Sequence, residues 1–177
     1  YDELAKLVDR KALREFRRGA SSPENPTIHT TGQCPEVYFQ CREAVNPYYD
    51  RLPEVVEECL GQISRLTGRD YRLFNYYGAP DAENVIVAMG SVCGTIQETV
   101  DYLNAEGGKT GVLTVHLYRP FSAEHFLREL PDTVKRVAVL DRTKEPGSVG
   151  EPLYEDICSV FSERDDAPVI VGGIYGI

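Results

Sequence analysis

Val137-Ala-Val-Leu140 runs without a break into Asp141-Arg-Thr-Lys-Glu-Pro-Gly147 and on through Ser148-Val-Gly150 to Glu151-Pro-Leu-Tyr154. Four consecutive apolar residues with no polar alternation describe a strand covered on both faces, the mark of a parallel sheet between helix layers. Val85-Ile-Val-Ala-Met89 reads the same way. After Leu140 a charged loop begins, and Pro146 and Gly147 keep a helix from starting early. Helical spacing then starts near Glu151, with Leu153, Ile157, Val160 and Phe161 on one stripe. Strand, polar loop and helix in that order belong to an α/β fold, and such folds place ligands and partners at the carboxyl ends of their strands.

The alternation extends on both sides of this stretch. β-rich runs at 71–77, 84–89, 111–117, 136–140 and 168–171 are separated by helical segments near 92–105, 122–130 and 151–162. In the first of these helices Val92, Ile96, Val100 and Leu103 recur at helical spacing. A three-layer α/β/α sandwich with right-handed crossovers is the expected fold.

Upstream, Leu4, Leu7, Val8, Ala12, Leu13 and Phe16 carry helical spacing, with a break near Asp9, which can cap a second helix. Residues 19–34, rich in Gly, Ser, Pro, Asn and Thr, read as an extended connector across a neighbouring unit. We therefore divide the chain into residues 1–34, a helical segment and connector from a preceding domain, and residues 35–177, the α/β domain. Helical spacing resumes with Val37, Cys41, Ala44 and Val45, is interrupted by Pro47, and returns with Val56, Cys59, Leu60 and Ile63 behind Pro53, a first-turn proline.

Composition narrows the function. The chain has 177 residues, 42% hydrophobic and 27% charged, the balance of an ordinary globular domain. It opens on Tyr1 and ends just past an apolar run, so it reads as a piece of a longer protein. A formal net charge of −9 repels phosphate backbones and argues against nucleic-acid binding. Arg14, Arg17 and Arg18 are diluted by acidic neighbours and read as a solvated helix face. No apolar run reaches the roughly 20 residues of a membrane span. The five cysteines, Cys34, Cys41, Cys59, Cys93 and Cys158, contain no Cys-x-x-Cys pair, so no zinc or iron–sulfur site follows from their spacing. Reduced thiols in a cytoplasmic protein are the expectation, with Cys59 and Cys158 buried on apolar helix faces.

Candidate chemistry gathers at strand ends. Gly90-Ser91 opens a helix with Thr95 one turn further on: Ser91 serves as an N-cap, or else the helix N-terminus binds a phosphate. Cys93 in the same turn is a thiol candidate that lacks an evident base, because His116 sits in a strand, His125 in a helix and His29 in the connector. Tyr118 and Arg119 end the next strand. Together with Asp141, Arg142, Thr143, Lys144 and Glu145 they form a polar edge that can hold a ligand, dock a neighbouring domain or carry surface ion pairs. Docking is the expectation, since no cofactor fingerprint is present. Asp141 and Glu145 are expected to be ion-paired with Arg142 and Lys144 rather than to act as an acid–base pair. No residue is assigned a catalytic or metal-binding role.

Several stretches resemble the pyruvate:ferredoxin (flavodoxin) oxidoreductases. They are Val37-Tyr-Phe-Gln-Cys-Arg-Glu-Ala44, Asn46-Pro-Tyr-Tyr49, Thr67-Gly-Arg69, Gly78-Ala-Pro-Asp-Ala-Glu83, Val85-Ile-Val-Ala-Met-Gly-Ser91, Leu117-Tyr-Arg-Pro-Phe121, Asp141-Arg-Thr-Lys-Glu-Pro-Gly147 and Gly150-Glu-Pro-Leu-Tyr154. The resemblance implies a large, multidomain, often homodimeric enzyme of anaerobic metabolism. Such an enzyme converts pyruvate and coenzyme A to acetyl-CoA and carbon dioxide, using thiamine diphosphate, magnesium and iron–sulfur clusters, with ferredoxin or flavodoxin as acceptor. It further implies that this chain is the second domain, similar to the transketolase C-terminal domain, on a mainly parallel five-stranded sheet. The resemblance carries no catalytic residue onto this sequence, which has no Gly-Asp-Gly diphosphate motif and no cluster-binding cysteine set. Two departures stand out. His29-Thr-Thr-Gly-Gln33 replaces the usual Arg-Gly-Thr-Ala-Gln, and Ile174 replaces an arginine at the exit to the next domain.

Overall fold

The computed structural model describes residues 1–27 and 32–176. Five strands, β1 (Phe74–Gly78), β2 (Asn84–Ala88), β3 (Thr110–Val115), β4 (Arg136–Asp141) and β5 (Val169–Ile174), form one sheet in the order β1-β3-β2-β4-β5. β2 to β5 are mutually parallel, and β1 runs antiparallel on the outer side of β3. Three crossover helices join them: α5 (Val92–Ala105), α6 (Ala123–Glu129) and α7 (Pro152–Phe161). The step from β2 to β3 goes one way along the sheet, and the steps from β3 to β4 and β4 to β5 go the other way. Right-handed crossovers therefore place α5 on one face and α6 with α7 on the other.

The two faces are unequal. On the α6–α7 face Phe74, Val85, Val87, Leu113, Val137 and Val139 meet Phe126, Leu153, Ile157 and Phe161 in the main core, all at 6% exposure or less. The second face holds a smaller cluster of Ala88, Val112, Cys93, Ile96 and Val100 under α5.

Four helices precede the sheet: α1 (Asp2–Lys6), α2 (Arg10–Arg18), α3 (Pro35–Glu43) and α4 (Asn46–Thr67). Asp9 caps α2 by accepting from the backbone N–H groups of Lys11 and Ala12, both at 2.9 Å. α1, α2 and α3 bury none of their residues. α4 packs Val56 and Leu60 onto the main core.

Three expectations are corrected. Pro47, not Pro53, opens α4, because its missing N–H is harmless in the first turn; Pro53 is buried inside the helix, at the cost of one backbone hydrogen bond. Cys59 is exposed on the flank of the Val56–Leu60 stripe, Cys158 is half-buried, and the buried thiol is Cys93. His116 follows β3 rather than lying within it, while His125 lies in α6 as expected. His29, Thr30 and Thr31 of the connector lie outside the described residues. Among the described residues no helix is long and apolar enough to cross a membrane.

Candidate functional site

Because β2 to β5 are parallel, Gly90, Tyr118–Arg119, the 141–150 loop and Gly172–Gly176 all emerge at one edge of the sheet. Asp141, the last residue of β4, is 2% exposed and accepts from the backbone N–H of Leu153 at 3.0 Å and of Tyr154 at 3.1 Å. Those are the second and third residues of α7, so Asp141 does from a neighbouring strand what an N-cap side chain normally does locally. Glu151 occupies the cap position itself and makes no side-chain cap bond. It turns back instead, accepting from the backbone N–H of Glu145 at 2.9 Å and from Lys144 Nζ at 3.3 Å. The two carboxylates thus form a reciprocal clamp: the strand end holds the helix, and the helix start holds the loop.

Burial pushes the Asp141 carboxyl above its ordinary range. The two α7 N–H groups pull it down, and the nearby Glu151 and Asp156 push it up again. The turn at Gly147, with φ +83°, needs glycine. Gly150 is required for a second reason, since a β-carbon there would overlap the Tyr154 ring. Asp141, Lys144, Ser148, Glu151, Tyr154 and Gly172 line a cleft of about 350 Å³ beneath the loop.

The remaining expected residues separate around this clamp. Arg142 does not pair with a loop carboxylate; its Nε donates to the carbonyl of Gly176 at 3.1 Å, fixing the exit of β5. Asp141 and Glu145 are not ion-paired with Arg142 and Lys144, because backbone N–H groups take Asp141 and Glu151 takes Lys144. Thr143 and Glu145 face solvent, and Val149 at the loop tip is fully exposed. Arg119 stacks 3.9 Å over the Tyr118 ring and donates to Asp156 of α7 at 2.6 Å. Tyr175 joins the strand ends, with its N–H on Asp141 O at 3.0 Å and its hydroxyl on Met89 O at 3.2 Å.

Sequence reasoning missed Glu151, Tyr154 and Asp156. Glu151-Pro152 did announce a helix start, but no local pattern shows that its carboxylate folds backward.

The Gly90–Ser91–Thr95 corner differs from its expected cap. Ser91 is exposed in helical conformation (φ −66°, ψ −23°) and makes no side-chain cap bond, since a true cap requires extended dihedrals. Gly90 and Cys93 line a separate hollow of about 450 Å³ that also takes in His116, which sequence spacing did not bring near the thiol. His116 Nδ1 is spent on the carbonyl of Arg72 at 2.9 Å. That lining contains Asp70 but no lysine or arginine, a poor setting for a phosphate. Among the described residues no group of three or more His, Cys, Asp or Glu is placed to hold a metal ion.

Residues 82–177, over half the chain and including the whole of this edge, match the family model described as pyruvate:ferredoxin oxidoreductase core domain II. The chain belongs to the pyruvate:ferredoxin oxidoreductase family. It is 60% identical over 177 residues to a pyruvate-flavodoxin oxidoreductase of Enterobacter agglomerans, covering all of this chain and 15% of that protein. It is 57% identical over 177 residues to the pyruvate:ferredoxin oxidoreductase of Moorella thermoacetica, with the same coverage. A 2-oxoglutarate:ferredoxin oxidoreductase structure from Magnetococcus marinus aligns with 66% of this chain and 18% of its own, at 21% identity and TM-score 0.42. This core domain II chain thus spans about 15% of the length of the curated relatives it matches.

Proposed function

We propose that the chain is a non-catalytic interdomain module of a pyruvate:ferredoxin or flavodoxin oxidoreductase. In this reading residues 1–34 are the connector from the preceding unit and residues 35–177 the α/β domain. The whole polypeptide, a cytoplasmic homodimer, oxidises pyruvate with coenzyme A to acetyl-CoA and carbon dioxide. Two electrons pass through iron–sulfur clusters to ferredoxin or flavodoxin, and other domains hold thiamine diphosphate, magnesium and the clusters. Arg119, Arg142, Thr143, Lys144 and Glu145, on the base set by Asp141, make the contact with those domains.

The observation that carries this reading is the clamp. Asp141 and Glu151 are committed to backbone and lysine partners, which leaves them unavailable as acid or base, and the loop they hold presents Thr143, Glu145 and Val149 outward. A stiff projection tipped by an exposed valine suits docking better than chemistry. Lys144 is a poor probe, because reversing its charge would set it against Glu151 within the chain itself. Val149→Asp avoids that conflict. It should leave the melting temperature of the 177-residue chain unchanged, as surface substitutions usually do, while lowering both turnover and thermal stability of the complete polypeptide. Normal turnover and melting in the complete enzyme would refute the docking role. Calorimetric titration of the 177-residue chain with coenzyme A should give no saturable heat, and binding there would favour a substrate site instead.

A further inference from the structure

α2 carries an unanswered charge. Five of its nine residues are basic, in a chain whose net charge is −9, and all nine are exposed. Arg10, Arg14 and Arg18 stand four apart and form one row along the helix, with Arg17 beside it. Lys11 meets Glu15 at 3.9 Å, but none of the four arginines has an ion-pair partner among the described residues. Leu13, also exposed, flanks the row.

α4 carries the opposite row. Asp50, Glu54 and Glu58 also stand four apart, and all three are exposed, whereas Val56 and Leu60 of the same helix pack on the core. Among the described residues none of the three is ion-paired; Glu58 only accepts from Gln62 at 3.5 Å. Arg51 and Arg65 border the row without pairing to it, and the exposed Tyr48 and Val55 flank it. Residues four apart on a helix rise about 6 Å per step, so the two rows have the same spacing. With the helices side by side Arg14 meets Glu54, and the outer arginines meet Asp50 and Glu58, whichever way α2 runs.

The basic row does not reach α4 of its own chain. α1 touches α4, and after Leu7-Val8-Asp9 the chain leads into α2 with nothing buried beneath it. A nucleic acid or an anionic lipid surface would answer only α2 and would be repelled by the net charge of the chain as a whole. A second copy answers both rows at once. We propose that two copies of this chain associate by exchanging α2, the basic row of each lying along the acidic row of the other's α4. Such a contact is two-fold and is made twice. Its charged pairs are exposed, so the association is weak, sensitive to salt and of little consequence for melting in dilute solution. It goes beyond the interdomain reading and uses a surface separate from the 141–147 loop.

Sedimentation velocity over a concentration series at low salt reads the association on the 177-residue chain, whose core closes within it. Arg14→Glu and Glu54→Arg each set like charges opposite one another in both contacts and should weaken the dimer about tenfold, with melting in dilute solution unchanged. Both substitutions in one chain should restore it. An equimolar mixture of the two single variants should restore it too, because one contact of the mixed dimer keeps the native pair and the other holds the pair reversed. A contact within one chain would not respond to mixing. A chain beginning at Pro35 should stay monomeric. Self-association that neither reversal weakens, or that mixing fails to rescue, overturns the exchange. A 177-residue chain that is monomeric throughout the series overturns it in favour of a different acidic surface for α2.

Discussion

Replacing Asp141 by alanine would strip the acceptor from two backbone N–H groups at the start of α7, one of them buried. Loss of a cap and an unpaired buried donor together cost about 2 kcal/mol, so Asp141→Ala should melt several degrees below the parent, and Asp141→Asn, which keeps one acceptor, should fall between. The pH dependence separates the two effects. The folded pKa of Asp141 is raised by burial, so its contribution to stability is greatest below the ordinary 3.8 and is lost as pH rises through the raised value. Glu57 has the opposite sign. The Arg128 guanidinium beside it holds its carboxyl below 4.5, so its contribution is present above 4.5 and is lost as pH falls through the lowered value. Thermal melts across the acid range should therefore show parent minus Asp141→Asn shrinking upward in pH and parent minus Glu57→Gln shrinking downward. Two slopes of the same sign would contradict the assignment.

Among the elements, the seven-residue α6 reaches the core through one large side chain. Phe126 is fully buried, with ring centroids 5.7 Å from Phe74, 5.6 Å from Phe121 and 6.2 Å from Phe161. Phe126→Ala should cost about 3–5 kcal/mol, through lost burial and the cavity left behind, and a urea titration would show the midpoint fall. These elements were largely legible. Val85–Met89 and Val137–Leu140 declared buried parallel strands, and the three crossover helices lie within a residue of their expected spans because their apolar stripes are strongly periodic. β1 was placed three residues early, at 71 rather than 74, and its antiparallel direction rests on pairing with β3, which is remote in sequence. Ser91 had the residue type of a cap but not its dihedrals, and Pro53 had the type of a helix start but not its position. At the site, Asp141 and Lys144 were named from local polarity, whereas their true partners at Leu153, Tyr154 and Glu151 are set by how the loop closes.

At the scale of the whole molecule, residues 1–34 carry Leu13 and Phe16 into solvent, Phe16 at 83% exposure, while the cooperative core lies entirely downstream. A chain beginning at Pro35 should melt within about 2 °C of the 177-residue chain, a shift that corresponds to about 1 kcal/mol or less in a domain of this size. A larger loss would move the domain boundary upstream. The carboxyl edge is a shaped projection, whereas the face at β5 leaves Val169 and Val171 exposed. For the projection, the reciprocal hold between Asp141 and Glu151 has a thermodynamic corollary. A loop already fixed in shape surrenders little conformational entropy on association, where each newly immobilised side chain would otherwise cost about 0.5–1.5 kcal/mol. Under the docking proposal, assembly around this edge would be set against a template that exists before its partner arrives, and a small contact area there would be enough to hold the two in register.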